Sequence, residues 1–194
     1  MHRRQIILAS ASPRRKELLE TMGILFDIVP AQKEERAQGT SQEIVCALAR
    51  QKAEEVAEQY PDSFVIGADT IVCIDAQVLG KPKNREDAFA MLKALRGRQH
   101  HVLTAVCVYS PLTKDYLVEY DTTAVYFEPI SDAEISAYLD TDEPYDKAGA
   151  YALQGRAGSM IQRIEGCASN VIGLPMPLLK KMLIKTKAIP DFGE

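Results

Sequence analysis

From Gln5 to a last helix expected to open at Pro175, apolar runs of strand length alternate with segments of helical period. Alternation of that kind, without an internal repeat or a Gly/Ser linker, restricts the chain to an α/β fold, a mixed twisted sheet flanked by helices, with residues 1–194 as a single domain. Gln5–Ala9 reads as a buried strand and Arg14–Met22 as a helix with Leu18, Leu19 and Met22 on its apolar side. Phe26–Val29 is a short strand. Thr40 and Glu43 have the spacing of a capping box, opening a helix that runs to Glu58 with Ile44, Val45, Leu48 and Val56 on one face. Phe64–Ile74 is an apolar, β-branched strand interrupted by Gly67, Asp69 and Thr70, residues that a purely structural strand avoids. Asn84 caps a helix with Glu86 and Asp87 in its first turn and Lys93 and Arg96 before Gly97, the charge order a helix dipole favours. His101–Ser110 and Tyr116–Phe127 form an antiparallel pair around residues 111–114, the second alternating as Val118, Tyr120, Thr122, Ala124 and Tyr126. Ser131 and Glu134 repeat the capping box, opening a helix to Asp140. After a glycine-containing loop, Thr141–Gly158, Met160–Ile164 and Asn170–Ile172 read as the last strand-like segments.

An apolar fraction of 46% with 26% charged residues is that of a globular chain, which excludes disorder over most of the length. The 23 basic and 27 acidic residues leave a net charge of −4, so a protein that coats nucleic acid is excluded and any anionic ligand has to meet a local cluster of cations. No apolar run approaches the roughly 18 residues of a membrane span or the roughly 7 to 15 of a signal-peptide core, so the expected setting is the cytoplasm. Cys46, Cys73, Cys107 and Cys167 form no CxxC pair and no zinc spacing. They read as small buried hydrophobes kept reduced.

Three segments carry chemistry, and none is a P-loop or a dinucleotide fingerprint. In Ser10–Lys16, Ser12 suits an N-cap and Pro13 the first helical position. Arg14, Arg15 and Lys16 then put three cations in the first turn, where the helix dipole disfavours each by about 0.3 to 1 kcal/mol. A bound anion reverses that sign, and backbone N–H groups, two serine hydroxyls and two guanidinium forks make a phosphate site. Screened by water, the same residues are a solvated basic patch. On the phosphate-site reading, Arg14→Ala and Arg15→Ala leave the empty fold at least as stable.

The second segment, Gly67-Ala68-Asp69-Thr70, seats a carboxylate in an apolar strand. It needs a cation, a metal or chain hydrogen bonds to offset its burial, with Lys81 one candidate partner; alternatively, Asp69 holds a turn through its own backbone. Lys52 interrupts the apolar face of the long helix, and either joins such a site or snorkels to water. In the third segment, Asp146–Gly155, small residues allow a ligand close to the backbone, and Gln154 offers the donor and acceptor that read the edge of a base, unless the loop is purely structural.

Leu8-Ala9-Ser10-Ala11-Ser12-Pro13-Arg14-Arg15, Ile66-Gly67-Ala68-Asp69-Thr70, Gly80-Lys81-Pro82, Asp146-Lys147-Ala148-Gly149-Ala150-Tyr151 and Gly173-Leu174-Pro175 together resemble, in order and over nearly the whole chain, the Maf family of nucleoside triphosphate pyrophosphatases. The resemblance implies a fold similar to that of inosine triphosphate pyrophosphatases, two lobes around a cleft, and a homodimer. It also implies hydrolysis of a nucleoside triphosphate to its monophosphate and pyrophosphate with Mg2+ or Mn2+. The Asp146–Tyr151 block followed by Gln154-Gly155 is similar to the branch acting on dTTP and UTP, and unlike the branch acting on 7-methyl-GTP.

Carried over residue by residue, the resemblance implies a proton acceptor at Asp69 and substrate discrimination by Arg14, Thr70 and Gln154. It implies phosphate binding by Ser10, Arg14, Arg15, Lys52 and Lys81, and metal ligation by Asp69 and Glu35, with Glu34 the alternative to Glu35. The expected partner is the nucleoside triphosphate, with neither nucleic acid nor membrane. Two rivals stand beside this reading: a non-enzymatic nucleotide-binding regulator of cell division, and a pyrophosphatase acting on modified nucleotides.

Overall fold

The computed structural model describes residues 4–34, 36–75 and 77–191, and every element below belongs to them. In chain order these are β1 (Ile6–Leu8), α1 (Pro13–Glu20), β2 (Asp27–Ile28), α2 (Ser41–Gln59), β3 (Phe64–Ile74), β4 (Gln77–Leu79), α3 (Arg85–Leu95), β5 (Gln99–Ser110), β6 (Asp115–Phe127) and α4 (Asp132–Leu139). Two 3-10 turns, Ala148–Ala150 and Arg156–Met160, precede β7 (Ile161–Glu165), α5 (Ala168–Ile172) and α6 (Met176–Lys185). Among the described residues the strands make one open, mixed, seven-stranded sheet in the order β2-β1-β3-β5-β6-β7, with β4 on β3. The chain divides into two compact units, Met1–Asp69 with Thr104–Asp121 and Gly173–Glu194, and Thr70–Leu103 with Thr122–Ile172.

In the first unit, β1 lies between β2 and β3 and is parallel to both, Ile7 standing opposite Asp27 on one side and Val65 on the other. Leaving β2, the chain crosses over β1 to reach β3, which creates a topological switch point at the C-terminal end of β1, where its pairing with β3 stops at Leu8 and Ile66 while β3 runs on to Ile74. Open α/β sheets take their ligands at such points. Ile6, Leu8, Phe64, Ile66, Val106 and Val108 from the strands pack with Leu19 of α1 and Leu179, Met182 and Leu183 of α6. Thr40 caps α2 through a formed capping box, its N–H donating to Glu43 Oε2 at 2.8 Å and its Oγ1 accepting from Glu43 N at 3.3 Å. The buried seam of α2 is Val45, Ala49, Ala53 and Val56, while Ile44 and Leu48 are half-buried. Glu55 and Ala57 are buried as well, and α2 rides very close to β3. A Cβ placed on Gly67 would stand 2.3 Å from the Ala49 carbonyl oxygen and 2.7 Å from Ala53 N.

In the second unit, β4 pairs antiparallel with the end of β3 and β7 antiparallel with β6. Leu92 and Leu95 of α3, Ile135 and Leu139 of α4, Val102, Val125 and Phe127 from the sheet, and Tyr151 form its core. The three-residue β4 is too short to show a period, and sequence reading passes over it. Asn170–Ile172, expected as a strand, lies in the helix α5. Its turn is closed by Asn170 N on the Cys167 carbonyl at 3.1 Å, and it aims the buried Asn170 amide at Val102 O (2.9 Å) and Thr123 Oγ1 (3.0 Å). In the second half of β6, Thr123, Val125 and Phe127 are buried and alternate with Thr122, Ala124 and Tyr126, and Arg163 Cζ stands 3.7 Å from the Tyr126 ring centroid. α1 ends at Glu20, two residues before the expected Met22. All four cysteines are free; Cys107 is buried, which pushes its thiol up to about 12, and the other three are half-buried. No helix among the described residues is long and apolar enough to cross a membrane.

Candidate active site

The first unit brings Lys52 to Asp69. α2 crosses β3 at Gly67, where the absence of a side chain lets Ala49 and Ala53 approach the strand backbone. Lys52, one position before Ala53, is thereby carried to the strand, and its Nζ donates to Asp69 Oδ1 at 2.6 Å. Only 16% of the Lys52 side chain and 10% of the Asp69 side chain remain exposed, so Lys52 does not snorkel to water. Within the first unit, Asp69 thus has a cationic partner in Lys52, seventeen positions away in sequence.

The loop after β1 supplies the second element. Ala9 N bonds the Ile66 carbonyl at 2.8 Å, so the chain leaves the sheet beside the β3 segment that leads to Asp69. Ser12 caps α1 by accepting from Arg15 N at 3.5 Å, and Pro13 takes the first helical position, as the sequence expected. Ser10 is buried, and its Oγ accepts from Ser12 N at 3.2 Å and from Arg15 Nη1 at 3.3 Å. Arg15 Nε donates to the Gly173 carbonyl at 2.8 Å. Arg14 is half-buried in the same turn.

These bonds change the expectation for the empty fold. Losing a charge-assisted hydrogen bond costs about 1.5 to 3 kcal/mol, more than the 0.3 to 1 kcal/mol or so regained by removing one charge from the positive helix end. Arg15→Ala is therefore expected to lower the ligand-free melting temperature. An unchanged or higher midpoint in a thermal melt would show that the Gly173 bond contributes nothing.

In the second unit, Thr70 is half-buried in β3, Lys81 is exposed after β4, and Gln154 is exposed between the two 3-10 turns. Gly80 O accepts from Gly149 N at 3.0 Å, tying the Gly80-Lys81-Pro82 segment to the Asp146–Tyr151 loop. Glu35, the other metal ligand implied by the resemblance, lies outside the described residues.

Two carboxylates that sequence reading did not single out are prominent. Glu55 of α2 is buried and accepts from Gln32 N at 2.8 Å and Lys33 N at 3.0 Å. Burial opposes its ionised form and these two bonds outweigh it, leaving its pKa below the usual carboxylate value. The available signal was an acidic residue next to Val56 on the apolar side of the helix. Glu143 is the other, and the two main-chain N–H groups that its carboxylate holds, those of Arg156 and Ala157, lie more than a dozen positions ahead with no local spacing to mark them.

For a divalent metal, Asp69 supplies hard carboxylate oxygen, and no group of three or more His, Cys, Asp or Glu side chains suited to a metal occurs among the described residues. Mg2+ and Mn2+ bind through one or two carboxylates and fill their shell with phosphate oxygens and water, so a single carboxylate is compatible with either ion.

A carboxylate on β3 facing an ammonium group, together with a cationic helix start after β1, lies beside the parallel β2-β1-β3 strands of an α/β protein with a mixed sheet. The chain belongs to the Maf-like protein family, whose model matches residues 5–186. A relative from Caldicellulosiruptor saccharolyticus, a dTTP/UTP pyrophosphatase, is 45% identical over 188 residues, covering 94% of each chain. One from a Geobacillus species with the same name is 48% identical over 175 residues, covering 89% of this chain and 93% of its own. A third so named, from Ruminiclostridium cellulolyticum, is 44% identical over 185 residues, covering 94% and 96%.

Proposed function

We propose that this chain hydrolyses dTTP and UTP to the nucleoside monophosphate and pyrophosphate. The observation that carries the chemistry is the Lys52–Asp69 pair, 2.6 Å apart and mostly buried between α2 and β3. A carboxylate in an apolar strand with one cationic partner is costly to maintain for structure alone. The base preference rests on relatives at 44–48% identity that carry the name dTTP/UTP pyrophosphatase.

Water attacks the α-phosphorus, the bond to the oxygen bridging to the β-phosphate breaks, and pyrophosphate leaves with the bonding pair. Asp69 accepts the water proton, and Lys52 orients the carboxylate. Ser10, Arg14, Arg15, Lys52 and Lys81 counter the triphosphate charge. Asp69, with Glu35, would hold Mg2+ or Mn2+, which acidifies water and neutralises phosphate charge when bound. Arg14, Thr70 and Gln154 discriminate the substrate. A homodimer in the cytoplasm completes the reading, and sedimentation of the purified chain tests the dimer.

Gln154 carries the base preference. Its amide pairs one acceptor and one donor with the adjacent N3–H and carbonyl of uracil or thymine, whereas a purine presents a differently shaped edge. Losing a matched polar contact in a closed pocket reduces discrimination by about 10-fold or more, while the thymine methyl matters less. Initial rates of pyrophosphate release from UTP, dTTP, CTP, ATP and GTP at one magnesium concentration test this directly. The wild type is expected to favour UTP and dTTP, and Gln154→Ala to lower kcat/KM for both and narrow their lead over purines. Faster wild-type hydrolysis of purines would overturn the substrate assignment, and unchanged ratios in the variant would remove Gln154 from it.

A further inference from the structure

The segment that carries Gln154 is held at both ends within the second unit. On the upstream side, Gly149 and Ala150 take positive φ angles of 70° and 61°, and Tyr151 is buried with its hydroxyl 2.6 Å from His100 Nε2. Burial lowers the His100 pKa to about 4, so at neutral pH the pair is a neutral hydrogen bond inside an aromatic cluster with Phe127. On the downstream side, Arg156–Met160 is a 3-10 turn whose N-cap, Gly155, has no side chain to satisfy the first N–H groups of the turn.

Glu143 supplies what Gly155 lacks. Its Oε2 accepts from Arg156 N at 3.0 Å and its Oε1 from Ala157 N at 3.3 Å, capping the turn from thirteen and fourteen positions upstream. Tyr138 Oη donates to the same Oε1 at 3.1 Å. Burial and the neighbouring carboxylate raise the Tyr138 phenol above its usual range, so it stays protonated as a donor. The Glu143 main chain is fixed as well, since its carbonyl accepts from Lys147 Nζ. The carboxylate lies directly over Gly155, where an added Cβ would stand 2.6 Å from Oε2 and 2.7 Å from Oε1. Gly155 has a φ of 124°, a left-handed conformation that suits glycine. Gln154 is therefore an exposed side chain on a short span between two anchored points, and the anchor nearer to it is Glu143.

We propose that Glu143 is a positioning residue for base selection: by holding the Arg156 and Ala157 N–H groups it fixes where the Gln154 amide stands. The proposal rests on the reading of Gln154 given above. A two-point amide contact with a base edge depends on orientation, because one acceptor and one donor must meet their partners together. Phosphate binding and water attack make no such demand on this loop. Loosening the turn therefore erodes the preference between bases more than it erodes hydrolysis itself.

The test compares kcat/KM for UTP, dTTP, ATP and GTP in the full-length wild type, Gln154→Ala, Glu143→Ala, Glu143→Gln and the Glu143→Ala/Gln154→Ala double variant. Glu143→Ala is expected to lower the UTP-to-ATP ratio by about 10-fold while kcat/KM for ATP changes less than about threefold. Glu143→Gln keeps the side-chain length and one acceptor oxygen, so it folds where alanine fails and gives an intermediate ratio. The double variant has the ratio of Gln154→Ala alone, because an unanchored loop has nothing left to misplace. A common drop for all four nucleotides in both Glu143 variants, with ratios unchanged, would mean that Glu143 only stabilises the fold and would overturn the proposal. If Gln154→Ala collapses the ratio and the Glu143 variants keep it, the proposal alone fails. If Gln154→Ala leaves the ratio intact, the base reading fails and the proposal falls with it.

Discussion

Asp69→Asn is expected to lower kcat for UTP by at least about 100-fold, the usual scale for removing a general base, while the chain stays folded. Asparagine has nearly the shape of aspartate and keeps an oxygen able to accept from Lys52 Nζ, which stands 2.6 Å from Oδ1 in the native pair. It has no carboxylate to take the water proton. The exchange also leaves a mostly buried ammonium group facing a neutral amide. Leaving that ammonium group without its counter-charge costs about 3 kcal/mol, the low end for a buried ion pair, which lowers the melting temperature by about 6 to 12 °C in a chain of this size. Far-UV circular dichroism, a thermal melt and single-turnover rates with saturating magnesium separate the two effects. Near-wild-type turnover would end the assignment of Asp69 as the proton acceptor. A collapse of the dichroism signal would mean that the pair serves the fold first.

Local chemistry makes much of the fold legible in the sequence. The capping boxes at Thr40/Glu43 and Ser131/Glu134 form as spaced, and Ser12, Pro13 and Asn84 take the helix-start positions that their side chains suit. Each of those signals is complete within four residues, so sequence contains all of its physics. Where sequence reading failed, the deciding partner was distant. Asn170–Ile172 read as a strand, yet they lie in a helical turn from which the buried Asn170 Nδ2 donates to Val102 O and Thr123 Oγ1. The inward face of β6 depends on which neighbours cover it, and the alternation alone names no side. The ion pair of Lys52 and Asp69 depends on distance in the same way: a broken apolar face marks the lysine and an apolar strand marks the aspartate, but the bond between them follows from the packing of α2 on β3. Glu143 was harder still, because a carboxylate that caps a turn more than a dozen residues ahead leaves no spacing to read.

That packing of α2 on β3 leaves no room for a side chain at Gly67, and Gly67→Ala is expected to damage stability and turnover together. The added Cβ would stand 2.3 Å from the Ala49 carbonyl oxygen, 2.7 Å from Ala53 N and 2.9 Å from Ala53 Cβ, all closer than such atoms approach in folded proteins. Two of the three contacts are with helix backbone, so no side-chain rotation relieves them, and α2 has to move away from the strand. Overpacking of this kind costs about 3 kcal/mol, which lowers the melting temperature by about 6 to 12 °C. Lys52 lies between Ala49 and Ala53 on that helix, so the displacement that relieves the clash also draws Nζ away from Asp69. A shift near 1 Å at a reacting group lowers turnover by about 100-fold. Gly23→Ala is the control. Gly23 has a φ of +64° and nothing within 4 Å of an added Cβ, so its substitution introduces backbone strain without moving α2. It is expected to lower stability by about 1 kcal/mol and leave kcat unchanged. If Gly67→Ala melts and turns over like the wild type, α2 does not depend on that close approach, and the placement of Lys52 needs another cause. If it loses stability but keeps its turnover, the helix moves without carrying Lys52 away from the carboxylate.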